Sequence, residues 1–203
     1  MCGIVGYIGK QKALPILLDG IKSLEYRGYD SAGFAILTKH GNLTHEKAVG
    51  RIANLEKKIV SSRKEYNGTV GITHSRWATH GLVSESNAHP HSDCPQNIWL
   101  VHNGIIENHK ELKADLQKLG HTFRSETDTE VLTHLIEEHY DGDLLDATRE
   151  ALSQVEGTYG IAVLHQDNPE EIIAARRGSP ILIGRGEKEN FIASDVSAIL
   201  RHT

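Results

Sequence analysis

Cys2 directly follows Met1 and is the residue of this chain best suited to nucleophilic chemistry. Thiolate is the reactive form of cysteine, and an ordinary thiol titrates at about 8.5, close to the value of about 8 for a free α-amine. If Met1 is removed, the sulfur and the amine belong to one residue, and the amine can take the thiol proton directly or through one water. The alternative is a small apolar residue at the start of a strand, since free cysteines are often simply buried.

Asn103 and Gly104 could stabilise the product of such an attack. Addition to a carbonyl creates a tetrahedral oxyanion, which needs fixed hydrogen-bond donors. Asn103 offers a side-chain NH₂, and Gly104 lets a backbone N–H approach closely because it has no Cβ. Asn-Gly is also the strongest hairpin-turn dipeptide, so a turn is the alternative interpretation.

Arg76 and Asp128 could bind the charged end of a free amino acid. Such a substrate carries a carboxylate, which suits a planar bidentate cation, and an ammonium, which suits an anion. Each residue also has a plainer interpretation: Arg76 as a solvated surface charge, and Asp128, in the string SETDTE, as the cap of a following helix.

The string AHPHSDC raises the question of zinc, because it contains His89, His91 and Cys94. A zinc site needs four protein ligands, or three with an open position. His102 and His109 could complete a set, but they lie on different predicted elements, and the spacing does not match a zinc finger. We therefore expect no metal and no cofactor, and metal binding is kept as an alternative for experiment.

Hydrophobic patterning predicts the elements that must position these residues. Strands are expected in the strings MCGIVGYIG, AGFAILT, LTHEKAV, TVGITHS, NIWLVHN, TYGIAVLH, EIIAARR, PILIGR and NFIAS. A helix follows the first strand, another contains Ile52, Leu55 and Ile59, and three more lie between Leu112 and Leu152, the last beginning after Asp143 as N-cap. Strands, then helices, then strands indicate an α+β fold, with helices covering sheets built largely of hairpins.

Composition excludes several classes of protein. The chain has 203 residues, 38% hydrophobic and 24% charged, and a net charge of −5, as in an ordinary globular domain. No basic run with interleaved aromatic residues supports nucleic-acid binding, and no apolar stretch predicts a signal peptide or a membrane span. With only two cysteines, we expect a cytoplasmic protein that needs no disulfides.

Several strings together resemble one family, the class II glutamine amidotransferases, whose glutaminase domain is an N-terminal nucleophile hydrolase. The strings are, in chain order, MCGIVGYIG, EYRGYDSAG, HSRWATHG, VHNGIIENH and SETDTEV. Within the class they are most similar to the glutamine:fructose-6-phosphate aminotransferases, and the resemblance continues through RRGSPILIG and NFIASD, so it covers nearly the whole chain.

The resemblance implies an αββα sandwich of largely antiparallel sheets covered by helices. It also implies a role for each matching residue: Cys2 as nucleophile, and Asn103 with Gly104 as the oxyanion hole. Binding of L-glutamine would involve Arg76, Thr79 and His80 at its carboxylate, Asp128 at its ammonium, Trp77 closing over it, and Arg27 near the nucleophile.

The resemblance further implies partners. Residues 1–203 would form a glutaminase domain, expected to be truncated at its C-terminal end. In the full enzyme a sugar-phosphate isomerase domain, absent from this chain, would use the ammonia to convert fructose 6-phosphate to glucosamine 6-phosphate, and that domain could also mediate dimerisation. Two alternatives remain: a class II amidotransferase with another acceptor, and a non-catalytic domain that keeps the fold.

Overall fold

The structure, a computed structural model, describes residues 2–38, 40–78 and 81–202. The strands of these residues are β1 (Gly3–Ile8), β2 (Ser31–Leu37), β3 (Leu43–Val49), β4 (Val70–Arg76), β5 (His91–Ser92), β6 (Ile98–Ile106), β7 (Gly157–His165), β8 (Ile173–Arg177), β9 (Leu182–Gly186) and β10 (Glu189–Ala193). The α-helices are α1 (Ala13–Ser23), α2 (Ile52–Ser61), α3 (His109–Lys118), α4 (Asp128–His139) and α5 (Leu144–Ser153).

The strands form two antiparallel sheets. The order in the first is β3-β2-β4-β1-β10-β9, and in the second β5-β6-β7-β8. In the first sheet Gly3 on β1 lies opposite Ser75 on β4. This register brings Cys2, just before β1, beside Arg76 at the end of β4.

Three apolar layers hold the sheets and helices together. Strand β1 shows the alternation that builds them: Ile4 packs between the two sheets with Trp99 and Val101, whereas Val5 and Tyr7 pack in the layer under α1 and α2. The third layer lies between the second sheet and α3, α4 and α5. The resulting helix–sheet–sheet–helix arrangement confirms the αββα prediction.

Local signals set several element ends. The turn between β2 and β3 closes with a hydrogen bond from Thr38 N to Asn42 O, and Asp143 caps α5 by accepting from Asp146 N at 2.9 Å. The Asp143 cap was expected from the sequence. The structure differs in one place that matters: β6 continues to Ile106, three residues beyond the expected strand, so Gly104 also lies within it. Among the described residues, no helix is both long and apolar enough to cross a bilayer.

Candidate active site

Cys2 lies at the mouth of a small cavity between the ends of the two sheets. Its Sγ accepts a hydrogen bond from the backbone N–H of Trp77 at 3.2 Å and lies 3.6 Å from the Trp77 carbonyl oxygen. Burial raises the pKa of the Cys2 thiol, while the Trp77 N–H and the nearby charge of Arg76 act in the opposite direction. The sulfur is thus sheltered, and it needs a base to reach the thiolate form near neutral pH.

Six of the residues expected from the sequence line this cavity together: Cys2, Arg76, Trp77, Asn103, Gly104 and Asp128. The other lining residues are His89, His102, Thr127 and Thr129. The cavity has a volume of about 40 Å³, enough for a few water molecules.

The Asn103 side chain is oriented by hydrogen bonds at both ends. Its Nδ2 donates to the Cys2 carbonyl oxygen at 3.1 Å. Its Oδ1 lies 3.0 Å from His74 Nε2, which also lies 3.2 Å from the carbonyl oxygen of His102. Both of these neighbours of His74 are acceptors, so Nε2 carries the proton and donates. His74 therefore turns the Asn103 NH₂ toward Cys2.

Sequence reasoning missed His74. Burial lowers its pKa to about 3, so it is neutral and serves as a hydrogen-bond donor. The one signal available in the sequence is its position two residues before Arg76, which places both side chains on the same face of β4.

Gly104 has a backbone conformation that excludes the hairpin-turn interpretation of Asn-Gly. It lies in the middle of β6, paired with Tyr159 of β7, at φ +139°. A Cβ at this position would collide with the carbonyl oxygen of Thr158. Glycine is required here because the backbone of the neighbouring strand passes so close.

Arg76 is buried, with 4% of its surface exposed, which excludes a solvated surface charge. Its guanidinium donates to the carbonyl oxygen of Leu82 at 3.4 Å. Burial lowers its pKa, and the negative groups of Cys2, Asp30 and Asp128 partly compensate. A buried cation beside the Cys2 thiol is suited to binding a carboxylate.

Asp128 begins α4 but is not its cap. The N-cap is Thr127, whose side chain accepts from Glu130 N. Asp128 Oδ2 instead accepts from the backbone N–H of Ile106 at 2.8 Å. The carboxylate is thus held against β6, in the wall of the cavity, where it can receive an ammonium group.

The string EYRGYDSAG supports the segment that follows β4. Asp30 Oδ2 accepts from Ala78 N at 2.9 Å, and the Tyr29 ring meets the Trp77 ring edge-on with centroids 5.3 Å apart. Gly28 lies so close to the backbone of residues 75–77 that a Cβ would come within 3.0 Å of it. These contacts fix the position of the Trp77 backbone N–H, which donates to Cys2 Sγ.

Three of the expected binding residues are not among those that the structure shows lining the cavity. Thr79 and His80 fall outside the described residues. Arg27 is buried and forms an ion pair with Asp195 at 3.0 Å, and it is not among the residues that line the cavity. Its place near the substrate stays a prediction.

Three of the histidines considered for zinc, His89, His91 and His102, belong to a buried cluster beside the cavity, and His109 lies apart from them at the start of α3. His89 stacks on His74 with ring centroids 4.0 Å apart, and its Nδ1 accepts from His102 N at 3.3 Å. His91 Nε2 lies 3.1 Å from Thr127 Oγ1. Burial lowers the pKa of His89, His91 and His102, so these rings are neutral. Cys94 is not part of this cluster and packs elsewhere, against residues of α4.

Comparison with known proteins agrees with this geometry. Residues 74–201 match a family described as the glutamine amidotransferase domain. The chain is 52% identical to glutamine–fructose-6-phosphate aminotransferase [isomerizing] of Clostridium perfringens and 54% identical to the enzyme of that name from Thermus thermophilus, in each case over 100% of this chain and 33% of the relative. The chain thus spans about a third of the length of these relatives.

A solved structure shares the fold. Glutamine phosphoribosylpyrophosphate amidotransferase from B. subtilis superposes with a TM-score of 0.83 at 30% identity, covering 98% of this chain and 43% of that one. The family match includes Arg76, Asn103, Gly104 and Asp128, and in the structure these residues line one cavity with Cys2. This chain belongs to the glutamine amidotransferase family and has the fold of the N-terminal nucleophile hydrolases.

Proposed function

We propose that this chain hydrolyses L-glutamine to glutamate and ammonia, with Cys2 as the nucleophile. One observation carries the proposal: a sheltered thiol, two amide donors, a buried guanidinium and a buried carboxylate line a single cavity. Their charges match the charged end of an amino acid, and their donors match an oxyanion beside the sulfur. Arg76 takes the α-carboxylate and Asp128 the α-ammonium.

The chemistry proceeds through a thioester. The Cys2 thiolate attacks the side-chain amide carbon, forming a C–S bond and an oxyanion that Asn103 Nδ2 and the Gly104 N–H stabilise. Collapse of this intermediate breaks the C–N bond, and the leaving nitrogen takes a proton and departs as ammonia. Water then attacks the γ-glutamyl thioester, releasing glutamate and restoring the thiol.

The proton acceptor for Cys2 is its own α-amine, which becomes available after removal of Met1. A free amine titrates near the pH at which the enzyme would work, whereas an amide nitrogen is not basic. A form that retains Met1 should therefore release ammonia poorly. Trp77, beside the sulfur, closes over bound glutamine and shields the thioester from premature hydrolysis.

The ammonia serves a larger cytoplasmic enzyme, in which a sugar-phosphate isomerase domain converts fructose 6-phosphate to glucosamine 6-phosphate. Support comes from the names of the relatives at 52–54% identity. The phosphoribosylpyrophosphate enzyme, at 30% identity, makes a purine-pathway acceptor the second candidate. Assaying the full-length polypeptide with each acceptor in turn separates the two candidates. Glutamine consumption should be faster only when the true acceptor is added.

An ammonia-release assay with L-glutamine tests the glutaminase proposal directly. Cys2→Ala should abolish turnover and should also abolish labelling by a glutamine-analogue electrophile, while glutamine binding, measured by calorimetry, persists. Mass spectrometry of the N-terminus identifies which molecules retain Met1. Full activity with Met1 in place would exclude the amine as base, and turnover by Cys2→Ala would exclude the nucleophile.

A further inference from the structure

We infer that Cys94, His121, His134 and Glu137 form a binding site for one Zn²⁺ ion. The four residues come from three separate segments: the loop between β5 and β6, the connection after α3, and one turn of α4. One ligand atom from each lies within 4.8 Å of every other. Sequence reasoning grouped Cys94 with His89 and His91, but the fold brings it to this different set.

Four distances between ligand atoms are close to those expected around a tetrahedral zinc ion. Bond lengths of about 2.3 Å to sulfur and about 2.0 Å to nitrogen or oxygen place a ligand sulfur about 3.6 Å from a ligand nitrogen, and an oxygen about 3.3 Å from a nitrogen. Cys94 Sγ lies 3.7 Å from His121 Nδ1 and 3.6 Å from His134 Nδ1. Glu137 Oε2 lies 3.0 Å and 2.8 Å from the same two nitrogens. The two remaining pairs, the two Nδ1 atoms and the sulfur with the carboxylate oxygen, lie within 4.8 Å, so a zinc ion fits once such a pair closes by about 1 Å.

Both histidines also have a carboxylate behind the ring. His121 Nε2 lies 3.0 Å from Glu138 Oε2, and His134 Nε2 lies 3.7 Å from Glu130 Oε1. The hydrogen-bonded carboxylate of Glu138 suits the tautomer of a zinc-binding histidine, with Nδ1 of His121 free of a proton and available to the metal, whereas the contact of His134 with Glu130 is longer than a hydrogen bond.

The charges and the donor types also suit zinc. One thiolate and one carboxylate balance the two positive charges, and the thiolate and imidazole donors favour zinc over calcium or magnesium. Four protein ligands make a closed site, which is typical of a structural metal. The ion would tie the loop of Cys94 and the segment of His121 to α4, whose first residue is Asp128. The site would thus stiffen one wall of the cavity without taking part in the reaction.

Metal binding is best measured on the Cys2→Ala chain, which removes the only other thiol of the sequence. We expect one equivalent of Zn²⁺ in competition with a chromogenic chelator. Co²⁺ in place of zinc should give the intense visible bands of a four-coordinate site together with a thiolate charge-transfer band. Stoichiometric binding would be absent, or the thiolate band missing, if the inference is wrong.

Single substitutions show whether these four residues hold the ion. Outer carboxylates are worth roughly 10–100-fold in affinity, so Glu138→Gln should weaken binding by that factor, and Cys94→Ser or Glu137→Gln by more than about 100-fold. His139→Gln, on the same helix, is the matched control and should bind as before. Equal affinities in Cys94→Ser and His139→Gln would overturn the assignment.

A second readout does not depend on the folding of variants in which a metal ligand is replaced. Bound zinc should slow alkylation of Cys94 in the Cys2→Ala chain by at least about 10-fold, because the metal holds the sulfur as an unavailable ligand. The effect should reverse when a chelator is added. An alkylation rate that zinc does not change would contradict the proposal, and neither outcome depends on the glutaminase activity.

Discussion

A histidine that never faces the substrate controls the orientation of the proposed oxyanion donor. Asn103 could in principle present either its oxygen or its NH₂ to Cys2. The contact between His74 Nε2 and Asn103 Oδ1 at 3.0 Å selects the second orientation. His74 is thus a positioning residue, which acts through Asn103.

Substitution of Asn103 should lower kcat with little change in KM. Loss of one oxyanion donor typically costs roughly 100- to 1000-fold in rate, and we expect this for Asn103→Ala in the ammonia-release assay. His74→Ala should cost less, about 10-fold. In the double variant His74→Ala should have no further effect, because its action requires the Asn103 amide. Additive losses would show that His74 acts by another route.

Asp128 should contribute to substrate binding through the ammonium group. Asp128→Asn keeps an oxygen acceptor for the Ile106 N–H but removes the charge. Its KM for glutamine should rise by about 10- to 100-fold, since hydrogen bonds to charged groups contribute about 1.5–3 kcal/mol. An analogue lacking the α-amino group supplies the control. If Asp128 binds the ammonium, both enzymes should handle that analogue alike, and an equal KM penalty for both substrates would refute the role.

At the scale of elements, strand β6 positions most of the residues proposed to stabilise the oxyanion. It carries His102, Asn103 and Gly104 on one strand, and its pairing with β7 holds the unusual backbone of Gly104 in place. The other wall comes from the N-terminus of α4, whose Asp128 is fixed to β6 at Ile106. One strand and one helix end therefore position the proposed oxyanion hole and ammonium site relative to each other.

Gly104→Ala should destabilise the domain strongly. The new Cβ would meet both an unfavourable φ of +139° and the Thr158 carbonyl oxygen. Backbone strain and overpacking each cost about 1–3 kcal/mol, so we expect a loss of about 3 kcal/mol in urea unfolding. Gly142→Ala is the control: its φ is +119°, but nothing lies within 4 Å of the added Cβ. It should lose only about 1 kcal/mol, and equal losses would argue against the close contact at Gly104.

At the scale of the whole molecule, the sheets bury a group of neutral histidines between the cavity and the core. His74, His89, His91 and His102 are each at most 5% exposed, and the pKa of each is lowered. The unfolded chain therefore binds protons that the folded chain excludes. The free energy of unfolding is therefore unaffected by these histidines above their unfolded pKa of about 6.5. It decreases as the pH falls from there toward their pKa values in the folded state.

Acid should thus destabilise the protein at unusually mild pH. Each such histidine contributes up to about 1.4 kcal/mol per pH unit below 6.5, measurable as urea unfolding between pH 7.5 and 5. His134, whose pKa is raised by Glu130 and Glu137 despite burial, acts in the opposite direction, but only above pH about 6.5, where its stabilisation is lost as the pH rises. His91→Gln should flatten the profile, whereas His139→Gln should leave it unchanged. A profile independent of pH over this range would contradict the neutral state of the cluster.

Sequence patterns were sufficient for the helices and for nine of the ten described strands, all but β5, and the family resemblance supplied the αββα arrangement and six residues of the cavity. Alternating and helical hydrophobic patterns encode local structure, and strings such as HSRWATHG carry the residues of the proposed chemistry. Tertiary structure alone decided that Gly104 lies within a strand, that Thr127 rather than Asp128 caps α4, and that His74 orients Asn103. It also decided that Cys94 lies with His121, His134 and Glu137. These outcomes depend on contacts between residues far apart in the chain, and no local pattern records which distant side chains the packing of sheets and helices brings together.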